Sequence, residues 1–176
     1  MLTSRLLLRP LQPADAPVIA AYRSDPDVAR YQSWTAPFTN EDADMLINEL
    51  VEADPAKPGW TQYGIELRSV GRLIGDLGVN LHRNRMQAAI GFTVAAAEQG
   101  HGYGPEAVGA MLDHLFTDFG LQKVSAECDA RNLASARLLQ KVGFHREGHL
   151  RSNTFAKGEW TDDLLFGLLA DDWMTR

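Results

Sequence analysis

The chain has 176 residues, 45% hydrophobic and 23% charged, with one cysteine and a formal charge of −6. That is enough for one domain with its own core, and the composition excludes a disordered or fibrous class. The acidic balance argues against general nucleic-acid binding, which needs a basic face. No apolar run approaches the ~20 residues of a membrane helix, and the only early apolar run, residues 6–8, is too short for a signal peptide. A lone cysteine, Cys128, rules out an internal disulfide, so a cytoplasmic protein is expected, without a membrane partner.

Residues 2–8 read as a first strand, ended by Pro10 and Pro13. A short helix follows with Val18, Ile19 and Tyr22 on its apolar face, broken at Ser24-Asp25-Pro26. An aromatic segment with Tyr31, Trp34 and Phe38 leads to Thr39, which caps a second helix over residues 41–53; the two helices should form a hairpin. After a Pro/Gly loop at 54–59, residues 60–67 and 73–81 read as antiparallel strands, and 87–95 as a third. Residues 107–119 carry apolar side chains at helical spacing and stop at Gly120. Residues 123–128 form the next strand, expected parallel to 87–95 because a strand–helix–strand unit of this length closes that way. Cys128 alternates with Val124 and Ala126 there, as a buried structural thiol would. Asn132 caps a helix over 133–142, Gly143 ends it, and 144–150 and 163–169 are the last strands. The order is β-α-α-β-β-β-α-β-α-β-β: one α/β domain over residues 1–176, a mixed central sheet with helices on both faces.

The most informative stretch is Gln99-Gly100-His101-Gly102-Tyr103-Gly104-Pro105-Glu106-Ala107, between the strand at 87–95 and the long helix. Alternate glycines allow φ > 0 and let a ligand lie against the backbone, and Pro105 suits a first helical turn. Such a junction aims backbone N–H groups and a helix dipole at one point, where an anion, most naturally a diphosphate, would be held. It is neither a dinucleotide fingerprint, whose third glycine would fall on Pro105, nor a P-loop, since no Gly-Lys-Ser/Thr follows. Arg131, Arg137 and Lys141 offer local positive charge for a phosphate.

Gln99-x-x-Gly102-x-Gly104 resembles the acetyl-coenzyme A loop of the GCN5-related N-acetyltransferase (GNAT) family, Gln/Arg-x-x-Gly-x-Gly/Ala. Ile90-Gly91-Phe92-Thr93-Val94 and the helix from Asn132-x-x-Ser135 to Lys141-Val142-Gly143-Phe144 match the same family. Leu6-Leu7-Leu8-Arg9-Pro10 and Trp160-Thr161-Asp162-Asp163 point to its RimJ/RimL-type ribosomal-protein N-terminal acetyltransferase branch. The resemblance implies acetyl-CoA as cosubstrate. Gln99, Gly100, His101, Gly102, Tyr103 and Gly104 would hold its diphosphate, and Val94 and Ala95 would line a slot between splayed strands for the pantetheine arm. Asn132 and Ser135 would meet that arm or its thiol end, although both residue types also serve as ordinary helix-start residues.

The reaction implied is direct attack of a primary amine, either a protein N-terminus or a small molecule, on the thioester. It requires a polarised carbonyl, for which a strand N–H at Val94 or Ala95 is suited, and removal of the amine proton. Glu66, Asp76 and His82 lie on or beside the central strands and are the candidate bases. Many family members carry a tyrosine four residues after Ser135 as thiolate acid; here that position is Leu139, leaving Ser135 as the nearest matched hydroxyl. Tyr31, Trp34 and Phe38 would wall the acceptor pocket, whereas Trp60 reads better as core. No metal site is expected: His145 and His149 fall on a strand, where four residues span ~13 Å. A monomer or homodimer fits equally, and the competing reading is an acetyl-CoA-binding module without turnover.

Overall fold

The computed structural model describes residues 1–50 and 53–176. Seven strands form one sheet in the order β1-β2-β3-β4-β5-β7-β6, with β1 at Leu6–Pro10, β2 at Gly59–Leu67, β3 at Arg72–Leu81, β4 at Gln87–Val94, β5 at Lys123–Asp129, β6 at His145–Ala156 and β7 at Glu159–Leu169. Every neighbouring pair is antiparallel except β4 and β5.

The first strand starts later than its sequence suggests. Residues 1–5 fold back, with the Leu8 amide bonded to the Met1 carbonyl and the Thr3 amide to Leu6, and β1 runs on through Pro10 because it is an edge strand, where a missing N–H costs no ladder bond. Pro26 does not simply break the first helix, α1 (Ala16–Arg23). It opens a further turn, α2 (Pro26–Ala29), capped by the Asp25 carboxylate on the Asp27 amide. In α3 (Asn40–Leu50), Thr39 and Asp42 cap reciprocally, the Asp42 amide donating to Thr39 Oγ1 at 3.1 Å and the Thr39 amide to Asp42 Oδ2 at 2.8 Å. Of the predicted end of that helix, residues 51 and 52 lie outside the described residues, and Ala53 is not helical. α1 and α3 pack together on one face of the sheet through Ile19, Tyr22, Ala43, Ile47 and Leu73.

The opposite face carries the larger core. There α4 (Tyr103–Asp113) and α5 (Leu133–Lys141) cover the sheet. Val108, Met111 and Leu112 of α4 are fully buried, each contributing about 1.5–3 kcal/mol over exposure. The helix begins four residues before the predicted 107, and its last turn widens into a π turn over His114–Asp118 that keeps Leu115 and Phe116 inward. A terminal helix, α6 (Ala170–Met174), absent from the sequence reading, seats Trp173 against Phe116, with its indole N–H on Asp113 at 2.9 Å.

Two further expectations change, at opposite ends of the sheet. β6 and β7 are much longer than 144–150 and 163–169, pairing out to a turn at Lys157-Gly158. The extra residues are polar because β6 is an edge strand exposed over most of its length, so no apolar alternation marks it; the register slips between Leu150 and Thr154, where Ser152 takes φ 46°. Trp60 is not core. It is 52% exposed and lies over Gly78, where an added Cβ would come within 3.1 Å of the indole.

Candidate active site

The site is built where β4 and β5 part. Their parallel pairing covers only Gln87↔Lys123 to Ile90↔Ala126, while β4 stays paired with β3 as far as Gly75↔Val94. Beyond Ile90 the side of β4 that faced β5 is therefore open. The Ala95 amide donates to the Ile74 carbonyl at 2.8 Å. Antiparallel ladders alternate, so the preceding residue, Val94, turns its N–H and C=O the other way, into the gap. Of the two residues expected to supply a strand N–H, Val94 is the available one. The Val94 carbonyl already accepts from Gln99 Nε2 at 2.9 Å, which folds the loop against the strand end.

A cleft of about 440 Å³ opens at this gap, walled by Phe92, Thr93 and Val94 of β4, by Gln99, Gly100, Gly102, Tyr103 and Gly104 of the loop, and by Asn132, Ser135, Leu138 and Lys141 around α5. Asp27, Val28, Tyr31 and Gln32 close it from the α2 side. The N-termini of α4 and α5 both open onto it. Gly100 and Gly102 have φ of 78° and 81°, a conformation that L side chains rarely adopt, and an added Cβ at Gly100 would meet nothing within 4 Å. Gly104 is glycine for another reason: a Cβ there would come within 2.6 Å of Leu138, so it sets the approach of α4 to α5. Asn132 accepts from the Ser135 amide at 3.1 Å, leaving the Ser135 hydroxyl on the cleft wall. Left-handed backbone with open space, two helix starts and an unpaired strand side together fit the diphosphate and amide-bearing arm of acetyl-CoA.

Other predicted residues fall elsewhere. His101 is exposed, stacks on Tyr103 and does not line the cleft; neither does Ala95. Lys141 lines it, whereas Arg131 is held by Asp129 and Glu159 at 2.7 and 2.9 Å. Glu66 and Asp76 do not line the cleft. Glu66 is paired with Arg9 at 2.6 Å, and Arg9 also grips Asp15, whose carboxyl those bonds hold below its ordinary value against the upward push of burial. Asp76, 2% exposed, accepts from the Tyr22 hydroxyl, from Arg23 Nη2 at 3.0 Å and from Gln62 Nε2 at 2.6 Å. Both carboxylates are paired with arginine and stand apart from the cleft lining. His82 also lies away from the lining. Of the aromatic trio only Tyr31 reaches the site. Trp34 and Phe38 bed the Arg23 guanidinium at 4.2 and 5.2 Å from their ring centres, and the Trp34 indole N–H donates to the Arg23 carbonyl.

A second cleft, about 220 Å³, shares Tyr31 and Gln32 with the first and extends between α2, the end of β5 and the β6–β7 hairpin. Its lining includes Glu127, Cys128, Asp129, Arg131, Thr154, Lys157, Glu159 and Asp163. Asp163, 4% exposed, accepts from Asn153 Nδ2 at 2.8 Å and Thr154 Oγ1 at 2.6 Å. The Lys157 ammonium donates to the carbonyls of Ala29 and Arg30, tying the hairpin to the end of α2. The Cys128 thiol is pushed up to about 11, by burial first; the Ser135 hydroxyl opposes the rise, and Asp129, Asp163 and Glu127 add to it. A thiol so protonated is no nucleophile at neutral pH. Sequence reasoning missed this cleft, although strand alternation against buried Val124 and Ala126 already turned Glu127 away from the core.

Residues 5–145 match the family described as acetyltransferase (GNAT) domain. The chain is 32% identical to the uncharacterized N-acetyltransferase p20 of Bacillus licheniformis, over 97% of this chain and 96% of that one. Among solved structures, a GNAT-family acetyltransferase from Bacillus anthracis superposes with a TM-score of 0.89 at 26% identity, covering 97% and 98% of the two chains. The spermidine N-acetyltransferase from Vibrio cholerae in complex with CoA and spermine gives 0.83 at 23% identity over 98% and 99%, a likeness of fold. The chain therefore belongs to the GNAT family of acetyl-CoA-dependent N-acetyltransferases.

Proposed function

We propose that this acetyltransferase moves the acetyl group of acetyl-CoA by direct attack of a primary amine, a protein N-terminal α-amine or that of a small molecule, as a cytoplasmic member of the RimJ/RimL-type branch. The observation that carries the reading is the pair of clefts joined at Tyr31 and Gln32, one with the features of a diphosphate and thioester site, the other lined with carboxylates suited to an amine. The high Cys128 pKa, which disfavours an acyl-cysteine intermediate, supports transfer in one step. The branch assignment rests on Leu6 to Pro10 and Trp160 to Asp163.

Acetyl-CoA supplies the activated acyl group; the chain's residues place and polarise it. Gly100 and Gly102 present backbone N–H groups to the diphosphate, and the Val94 N–H is positioned to donate to the thioester carbonyl, where negative charge grows in the transition state. The Ser135 hydroxyl stands at the thiol end as hydrogen-bond donor. A coenzyme A thiol of roughly ordinary pKa, ~8.5, leaves tolerably near neutral pH, so Leu139 in the place of a tyrosine is no bar.

The test is thiol release from acetyl-CoA against a panel of N-terminal peptides, amino acids and polyamines. Turnover with at least one class, with N-acetylated product by mass spectrometry, is expected. Tight acetyl-CoA binding without turnover on any amine would leave the non-catalytic module.

A further inference from the structure

Building on that reading, we infer that Glu127 is the residue that accepts the proton from the attacking amine. It is the first β5 residue past Ala126, the last one paired with β4, and so stands at the mouth of the gap into which Val94 points. Val124 and Ala126 on one side of β5 are buried in the core, and alternation turns Glu127 to the other side, where it lines the second cleft together with Tyr31 and Gln32. It adjoins Cys128, which lines the second cleft as well, while Ser135 of α5 stands on the wall of the first.

What singles out Glu127 is that its neighbours are already engaged. Arg131 holds Asp129 and Glu159, Asn153 and Thr154 hold Asp163, Lys157 is spent on backbone carbonyls, and Arg30 pairs with Asp27 at 2.8 Å. Among the described residues Glu127 is the one carboxylate of the second cleft with neither a hydrogen-bond nor an ion-pair partner. Burial first, and then the Asp163 carboxylate, raise its pKa above the ordinary glutamate value. Both effects strengthen it as a base, and both favour a cation arriving beside it.

The step balances as follows. The arriving ammonium first gives one proton to solvent; the lone pair of the neutral amine then forms the bond to the acetyl carbon, the carbon–sulfur bond breaks with its pair going to sulfur, and one N–H proton of the bonded nitrogen passes to a Glu127 carboxylate oxygen and on to solvent. The sulfur takes a proton from Ser135 or water. A free ammonium is a far weaker acid than a carboxyl group, but the nitrogen becomes strongly acidic once the carbon–nitrogen bond forms, so a carboxylate is base enough at that stage.

The experiment compares wild-type enzyme with Glu127→Gln and Glu127→Asp, using the best amine of the panel, with kcat and both KM values measured from pH 5 to 9. Glu127 lines an open cleft and not the core, so both variants should fold, as circular dichroism would check. Glu127→Gln is expected to lower kcat by ~10²–10⁴-fold, to change the acetyl-CoA KM by less than about threefold, and to abolish the acidic limb of the kcat profile, with partial recovery in Glu127→Asp. Because Asp129, Asp163, Glu159, Cys128, Arg30, Arg131 and Lys157 face the same cleft and stay in place, loss of that limb identifies Glu127. A Glu127→Gln kcat within about threefold of wild type, an unchanged acidic limb, or an effect confined to the amine KM overturns the assignment while leaving the transferase reading intact. Absence of wild-type turnover on every amine overturns both.

Discussion

Asp76 offers the sharpest separation of structural from catalytic carboxylates. It is 2% exposed at the centre of a buried set in which Tyr22, Arg23 and Gln62 all donate to it, and Arg23, itself 6% exposed, lies on Trp34 and Phe38. Burial alone would lower the Arg23 pKa, but the charge of Asp76 outweighs it and holds the guanidinium ionised. Burial in turn lifts the Tyr22 phenol well above its ordinary value, with Asp76 adding to the rise, so Tyr22 stays a donor. Asp76→Ala strands a buried cation and two donors, and removing one partner of such a pair costs about 3–5 kcal/mol. At about 2–4 °C per kcal/mol for a chain of this length, Tm should fall by roughly 6–20 °C. Adding Arg23→Met, which keeps an unbranched side chain on the aromatic bed and removes the stranded charge, should recover part of the loss. Calorimetry on the single and double variants reads this directly, and thiol release at 15 °C should show the folded Asp76→Ala enzyme keeping most of its kcat. If Tm moves by less than about 2 °C while kcat collapses, Asp76 is a catalytic base and the burial argument is wrong.

Gly100→Asp should weaken CoA binding roughly 100-fold in titration calorimetry with the fold retained: the left-handed backbone costs roughly 1 kcal/mol, which Asp tolerates better than most residues, the side chain enters open space, and a carboxylate ~5 Å from a phosphate charge costs about 3 kcal/mol at an effective dielectric of 20. Trp34→Ala should lower stability by about 1–3 kcal/mol in urea unfolding, through the lost bed of Arg23, and leave the amine KM within about twofold; a raised KM at unchanged stability would return Trp34 to the acceptor pocket. The Glu106 carboxyl accepts from Thr3, Ser4 and Arg5, and although burial pushes its pKa up, those bonds hold it below the ordinary 4.5. A lowered folded pKa means the contribution is present above pH 4.5 and is lost as pH falls through the lower folded value. Urea unfolding should therefore show wild-type stability dropping over that acidic range, less steeply in Glu106→Gln; equal slopes would refute the role.

The two halves of the site differ in how far the chain announces them, and the difference follows from contact distance. The glycine loop and the Asn132 cap are local: φ > 0 at Gly100 and Gly102, and a side chain reaching an amide three residues on, are demands that a short stretch must meet by itself, so its residue types reveal them. The strand gap is half-local, because the parallel pairing of β4 and β5 follows from the crossover helix, while its early end at Ile90 and Ala126 does not show in either strand's pattern. The second cleft is not local at all. It assembles residues near 30, 127 and 160, and the last group sits on an exposed edge hairpin whose polar faces carry no alternation to read. The pairing of Glu66 and Asp76 is equally illegible in the chain. On a strand a carboxylate gives no sign of whether an arginine 57 or 53 positions away will claim it, and Arg9 and Arg23 did. Among the described residues, the carboxylate of the joined clefts with neither a hydrogen-bond nor an ion-pair partner is Glu127, since Asp163 is held by Asn153 and Thr154 and the others by arginines, so the charge the fold leaves unneutralised beside the proposed amine path is that one.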